Sequence, residues 1–249
     1  MKSRISVVGA VVAAFLILLT ANPAVAAGRP LEGNGWKLMA HHRVTSIAPG
    51  SVFTITFTST ELKTKYTPFL TRSLAQLQAE GVNISIGGVT NVAPEVCPPQ
   101  GTIQFAEIYR PLGQPGASRA LACWTGDNAA RGGHVQMNSE YWTGWYLPEY
   151  MLHNVFPHEL LHVLGLYHPN KDLNGDGTVA AHECVATSYG DKPVMCAPNG
   201  GYSTTTNQGK LVGFDLAGVR QLIANGSIPS TAAKHVGGPA DGGMSAPIG

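Results

Sequence analysis

The stretch His158-Glu159-Leu160-Leu161-His162-Val163-Leu164-Gly165-Leu166-Tyr167-His168 decides how the rest of the chain is read. In a helix, residues four apart lie on one face, so His158 and His162 can turn two imidazoles toward one metal ion. Glu159 stands beside the first of them and can reach a water on that metal without being a ligand. Gly165 can take the left-handed conformation that ends a helix. The chain then turns, and His168 can return as a third ligand. Three neutral nitrogens with one open position form the pattern of catalytic zinc. Zinc acidifies its water to a pKa of about 7 and polarises a carbonyl. Glu159 is then placed to take the water's proton and pass it to a leaving amine. Leu160, Leu161, Val163, Leu164 and Leu166 read as the apolar back of the helix. Pro157 leaves two readings open. Either the helix starts there with proline in its first turn, or a longer helix from about Pro148 kinks there.

The motif resembles the metzincin signature H-E-x-x-H-x-x-G-x-x-H. Metzincins place a methionine in a tight turn beneath the zinc. The matching segment is Lys192-Pro193-Val194-Met195-Cys196-Ala197-Pro198, with Met195 lying 27 residues past His168. The resemblance is nearest to matrixin-like members and covers roughly residues 51–225. Residues 118–123 (SRALAC) are similar to the antiparallel edge strand that lines the cleft. Residues 133–138 (GHVQMN), with Trp142 following, are similar to the inner strand before the active-site helix. Residues 214–219 (FDLAGV) are similar to the start of the C-terminal helix. The resemblance implies a zinc metalloendopeptidase acting on a polypeptide. Its sheet would be mixed, twisted and mostly parallel, of about five strands with an antiparallel edge. An edge strand beside a zinc cleft can pair with an extended peptide, which makes residues 119–125 the substrate rail, with Ala120 and Ala122 on it. Residues 197–202 would wall the pocket for the side chain after the cut bond, through Pro198 and Tyr202. No cysteine precedes Cys97, so latency through a propeptide thiol is not expected. His134 is expected to be a strand histidine rather than a ligand.

Outward from the motif, the pattern reads as α/β (α+β). Residues 51–58 (SVFTITFT) alternate and are β-branched, as a strand requires. Thr60 can cap a helix over 61–80 that Gly81 ends. Residues 82–86, 102–109, 119–125 and 133–138 read as further strands, and 112–118 as a Gly/Pro loop. Residues 214–225 have helical periodicity and stop at Gly226. Residues 27–50 read as a mixed, extended N-terminal segment, and 226–249 as a flexible Gly/Pro/Ala-rich tail. No internal repeat is found.

Residues 172–183 (DLNGDGTVAAHE) match the calcium-loop pattern D-x-[DN]-x-[DN]-G-x₅-E. Asp172, Asn174 and Asp176 offer side-chain oxygens, Thr178 a carbonyl, and Glu183 two oxygens; Gly177 permits the turn. The flanks do not form a paired helix–loop–helix, so the loop reads as a staple for the floor of the site rather than a sensor.

Composition fixes the setting. Lys2 and Arg4, an apolar run over 5–20, Pro23 and Ala24-Val25-Ala26 make a signal peptide over 1–26, cleaved before Ala27. The run is short for a membrane span. The chain has 249 residues, 44% of them hydrophobic and only 12% charged, with a net charge of +1. That excludes nucleic-acid binding by bulk positive charge. A secreted monomer with no membrane contact after signal cleavage is expected. Cys97, Cys123, Cys184 and Cys196 are an even set in an exported chain and suggest two disulfides. Of three connectivities, Cys97–Cys123 with Cys184–Cys196 closes the shortest loops. The aromatic cluster Tyr141, Trp142, Trp145, Tyr146 and Tyr150 reads as packing. Asn83-Ile84-Ser85 and Asn225-Gly226-Ser227 match the glycosylation pattern. Two rival readings remain: a calcium- and zinc-containing binding module without peptidase activity, and a zinc amidase for small substrates.

Overall fold

A computed structural model describes residues 29–143 and 147–229, and the backbone of 244–247. The signal segment over 1–26 and the residues Trp145 and Tyr146 lie outside the described residues. In chain order the elements are β1 (Glu32–Gly33), β2 (Trp36–Leu38), β3 (Val52–Phe57), α1 (Thr60–Ala79), β4 (Asn83–Val89), β5 (Thr102–Ile108), β6 (Arg119–Trp124), β7 (Ala130–Asn138), α2 (Glu149–Leu164), β8 (Leu166–Tyr167), α3 (Gly213–Gly226) and β9 (Met244–Pro247).

The main sheet runs β4-β3-β5-β7-β6-β9. Its first four strands are parallel to their neighbours, and β6 is antiparallel to β7. This is the five-strand, mostly parallel sheet with an antiparallel edge that the sequence implied, with β9 added beyond β6. The alternation in β3 sends Phe53, Ile55 and Phe57 into the core, where Ile103 and Phe105 of β5 join them. Helices α1 and α2 pack on the sheet and on each other. Tyr66, Phe69 and Phe156 make the aromatic joint between the two helices. At Gly132 and Gly133 an added Cβ would meet the Thr102 and Leu121 carbonyl oxygens at 2.1 Å. Only glycine lets β7 lie that close to β5 and β6 on its two sides.

Some boundaries differ from the sequence reading. The cap of α1 is Ser59, whose hydroxyl accepts from the Leu62 N–H at 3.2 Å; Thr60 is the first helical residue. Of the two readings at Pro157, the longer helix is the one found, with Pro157 inside it. Its ring denies the His153 carbonyl the usual helical donor. Residues 29–50 are woven into the domain. Leu38, Met39, Val44 and Ile47 are core residues, and β2 pairs with both β1 and β8 in a small second sheet. Four residues of the stretch read as a flexible tail form β9, antiparallel to β6.

The structure joins Cys97 to Cys123 and Cys184 to Cys196, across separations of 26 and 12 residues. The first ties the segment after β4 to the edge strand; the second joins the end of the 172–183 stretch to the turn that carries Met195. Asn225 is fully buried, and its amide donates to the Pro30 and Thr45 carbonyls at 2.9 Å. That sequon is therefore a structural clasp rather than a glycan acceptor. Asn83 is exposed at the start of β4.

Candidate metal centre

Helix α2 is buried continuously from Asn154 to Leu164, so its histidines face protein rather than water. The Nε2 atoms of His158, His162 and His168 lie 3.0–3.1 Å from one another. Tetrahedral zinc at about 2.0–2.1 Å from each nitrogen sets such nitrogens about 3.3 Å apart, so the triangle is within a few tenths of an ångström of a zinc site. Among the described residues it is the one group of three or more His, Cys, Asp or Glu ligand atoms drawn within 4.8 Å.

The tautomers follow from the partners. His158 Nδ1 lies 2.8 Å from the Val194 carbonyl, and His162 Nδ1 lies 2.8 Å from the Leu166 carbonyl. A carbonyl only accepts, so both Nδ1 atoms carry the proton and both Nε2 atoms present bare lone pairs. Burial pushes His158 down to about 4 and His168 down to about 3, and His162 well below its ordinary value. The bare lone pairs of His158 and His162, 3.0 Å apart, repel each other. A cation among them turns that repulsion into coordination, and the donor set fits zinc.

Gly165 makes the third ligand's return feasible. It ends α2 at φ 114°, and its N–H bonds back to the Leu161 and His162 carbonyls. An added Cβ there would meet Val44 Cγ1 at 2.9 Å and Leu222 Cδ2 at 3.0 Å. Strand β8 then pairs with β2 and delivers His168. The Tyr167 ring stacks on His168 at 5.1 Å, and the His41 ring meets Tyr167 edge-on at 4.4 Å.

Glu159 is fully buried, and neither carboxylate oxygen has a hydrogen-bond partner. Burial pushes its carboxyl well above the usual carboxylate range. Leaving both oxygens unmet is costly, which is the mark of a group whose partner comes from outside the chain. Burial also raises the nearby Tyr141 phenol's proton affinity. That phenol donates to the Gly116 carbonyl at 2.9 Å and bonds the Ser118 hydroxyl at 3.1 Å, just before β6.

Met195 is buried in a tight turn that the Cys196 N–H closes onto the Pro193 carbonyl at 3.0 Å. The Val194 carbonyl of this turn is the one that orients His158. Three residues the sequence reading did not single out hold this region in place. Asp215, in the first turn of α3, accepts from the N–H groups of Val194, Met195 and Val212 at 2.9, 3.2 and 2.9 Å. Burial pushes its carboxyl up to about 6, against the pull of those amides. Asn170 clasps Ala197 through both N–H and carbonyl. Asn154 donates to the Gly200 and Tyr202 carbonyls and accepts from the Gly209 N–H. Asp215 carried one legible signal, an acidic residue in the first turn of a helix.

A small pocket opens beside His158, lined by Met151, Asn154, Val155, Val194, Pro198, Asn199 and Gly200. Pro198 thus stands next to the triad. Tyr202 is not among the lining residues; it meets α2 through its carbonyl. Ala120 and Ala122 are buried on β6. His134 is bound to the Val96 carbonyl at 2.8 Å and lies 3.4 Å from the Gln104 amide, as a strand histidine would be.

The loop over 172–183 is built differently. Asp172 accepts from the N–H groups of Gly175 and Gly177, Asn174 from Asp176, and Asp176 from Thr178. Glu183 accepts from Leu173, Asn174 and Ala180. Amide donors, Ala180 and Leu173 first, hold its carboxyl below the usual range. The carboxylates of Asp172, Asp176 and Glu183 do not form a cluster of the kind the histidines do.

Compared with known families and curated proteins, the chain matches no family model and no curated sequence.

Proposed function

We propose that the protein is a secreted zinc-dependent endopeptidase of metzincin-like build. The observation that supports this most is Glu159. Its buried, unpartnered carboxyl lies one residue from a converging histidine triad. His158, His162 and His168 would hold the ion, which when bound supplies Lewis acidity to a carbonyl and acidifies water. Glu159 takes the water's proton at a carboxyl oxygen and donates it to the departing nitrogen. Its raised proton affinity suits the donating half of that cycle. Met195 and its turn keep His158 aimed through the Val194 carbonyl. The β6 edge, at Ala120 and Ala122, aligns an extended polypeptide by backbone hydrogen bonds. The pocket beside His158, with Pro198 in its wall and Tyr202 at the end of that segment, receives the side chain after the cut bond.

Two disulfides favour an oxidising, extracellular setting. Among the described residues no helix is long and apolar enough to cross a membrane. The sequence pattern over 172–183 adds a structural calcium ion to the reading, and the monomer is kept as its working unit.

The test is cleavage of a diverse peptide mixture by the zinc-loaded chain from Ala27, read by mass spectrometry. It is run with and without residues 244–249, beside Glu159→Gln. Internal cuts that fall about 10²–10⁴-fold in the variant, at unchanged zinc content, support the reading. Cuts that persist in Glu159→Gln contradict it. So does a fully loaded protein that cuts nothing in either form.

A further inference from the structure

We propose that Met244–Pro247 is a built-in occupant of the peptide-binding edge and restrains the site in cis. This rests on the endopeptidase reading above. Strand β6 has two edges. One is paired with β7. The other is the edge an extended substrate needs, and β9 holds it in an antiparallel register, with Ala122 opposite Met244, Leu121 opposite Ser245, Ala120 opposite Ala246 and Arg119 opposite Pro247. Both alanines assigned to substrate pairing are thus already paired. A strand edge accepts one such partner at a time, so substrate and tail compete.

The direction of β9 also fits. It runs from Ala122 toward Arg119, and β6 continues backward from there to Ser118. Ser118 bonds the Tyr141 phenol. The tail therefore lies along the rail antiparallel to it, backbone against backbone. Met-Ser-Ala-Pro carries no charge, so it joins the edge with no charge to desolvate. Residues 230–243 connect it to the segment after α3 and can span up to about 50 Å, enough to cross a small domain. Tethering raises the local concentration of so short a strand to roughly millimolar. A four-residue strand remains weak, so the tail attenuates and can be displaced by a better-fitting peptide.

The experiment compares zinc-loaded chains 27–249 and 27–243 on a quenched fluorescent peptide and follows amide hydrogen exchange over Arg119–Ala122. Ser245→Pro and Ala246→Pro in the full chain are the second arm, because alternate β9 amides face β6 and only one proline removes a ladder donor. Truncation is expected to lower KM roughly tenfold with kcat nearly unchanged and to speed exchange of the β6 amides that face β9. One proline variant should do the same and the other should do less. Unchanged KM and unchanged exchange would overturn the occupant while leaving the peptidase reading standing. Faster exchange with no cutting by either form would uphold the occupant of the edge and overturn the peptidase reading instead.

Discussion

The histidine triad and the loop over 172–183 both follow a metal-binding spacing in the sequence, yet they are opposite kinds of site. In the triad His158 and His162 are buried and His168 is half-buried, the three Nε2 atoms converge within 3.1 Å, and the first two point bare lone pairs inward. Beside them Glu159 has no partner at all. In the loop the carboxylates are largely exposed and already serve the chain's own amides. The first arrangement is unfavourable without an external ion and water. In the second the carboxylates already accept from the chain's own amides. Spacing alone does not distinguish them; burial and unmet hydrogen bonds do.

The sharpest way to break this contrast is to remove a triad ligand. His162→Ala should abolish stoichiometric zinc binding and reduce peptide cleavage to background, while the fold persists. Zinc analysis beside circular dichroism checks both. The next effect in size is at Asp215. Asp215→Ala strands three buried amides, and at about 1–3 kcal/mol each it should cost at least about 3 kcal/mol in denaturant unfolding. It should also loosen zinc, because Val194 orients His158. Loss of stability with unaltered zinc affinity would separate the turn from the site.

Acid gives a third test. His158 stays neutral down to about pH 4 and His168 to about pH 3. Depressed pKa values mean that protons compete with metal only below those pH values, not near 6.5. Zinc retention in dialysis should therefore hold from pH 7 to about 5 and fall below about 4. Half-release near pH 6.5 would show imidazoles far less buried than described. The smallest effect belongs to the loop. Glu183→Gln weakens acceptors for three exposed amides, and should shift Tm by at most about 4 °C with zinc content unchanged. A calcium-dependent rise in Tm that the variant loses would add the ion to the loop.

How much of this was legible depended on the range of each interaction. The triad could be read because a helix places residues four apart together and glycine ends it, both local rules. The β3 strand could be read because its alternation is local too. Asn154 and Asn170 could not, and Asp215 only as a first-turn acid of α3, because each acts on backbone 20 or more residues away, and an isolated Asp or Asn carries no trace of that. The length of α2 was open because Pro157 suits either a first turn or a tolerated interior kink, and packing against the sheet decided. Strand β9 was invisible because Met-Ser-Ala-Pro has no periodicity of its own; only an unfilled edge on β6 makes it a strand. The same limit applies to Asn225, where a surface pattern in sequence turned out to be an interior clasp.

The central claim is that the histidine triad requires an ion. Native mass spectrometry of the chain from Ala27, equilibrated with zinc and calcium and then desalted, tests it directly with Glu159→Gln and His162→Ala alongside. The account predicts one zinc per chain in the parent and in Glu159→Gln, and none in His162→Ala. A parent chain without zinc, or a His162→Ala chain that keeps a full equivalent, would contradict it.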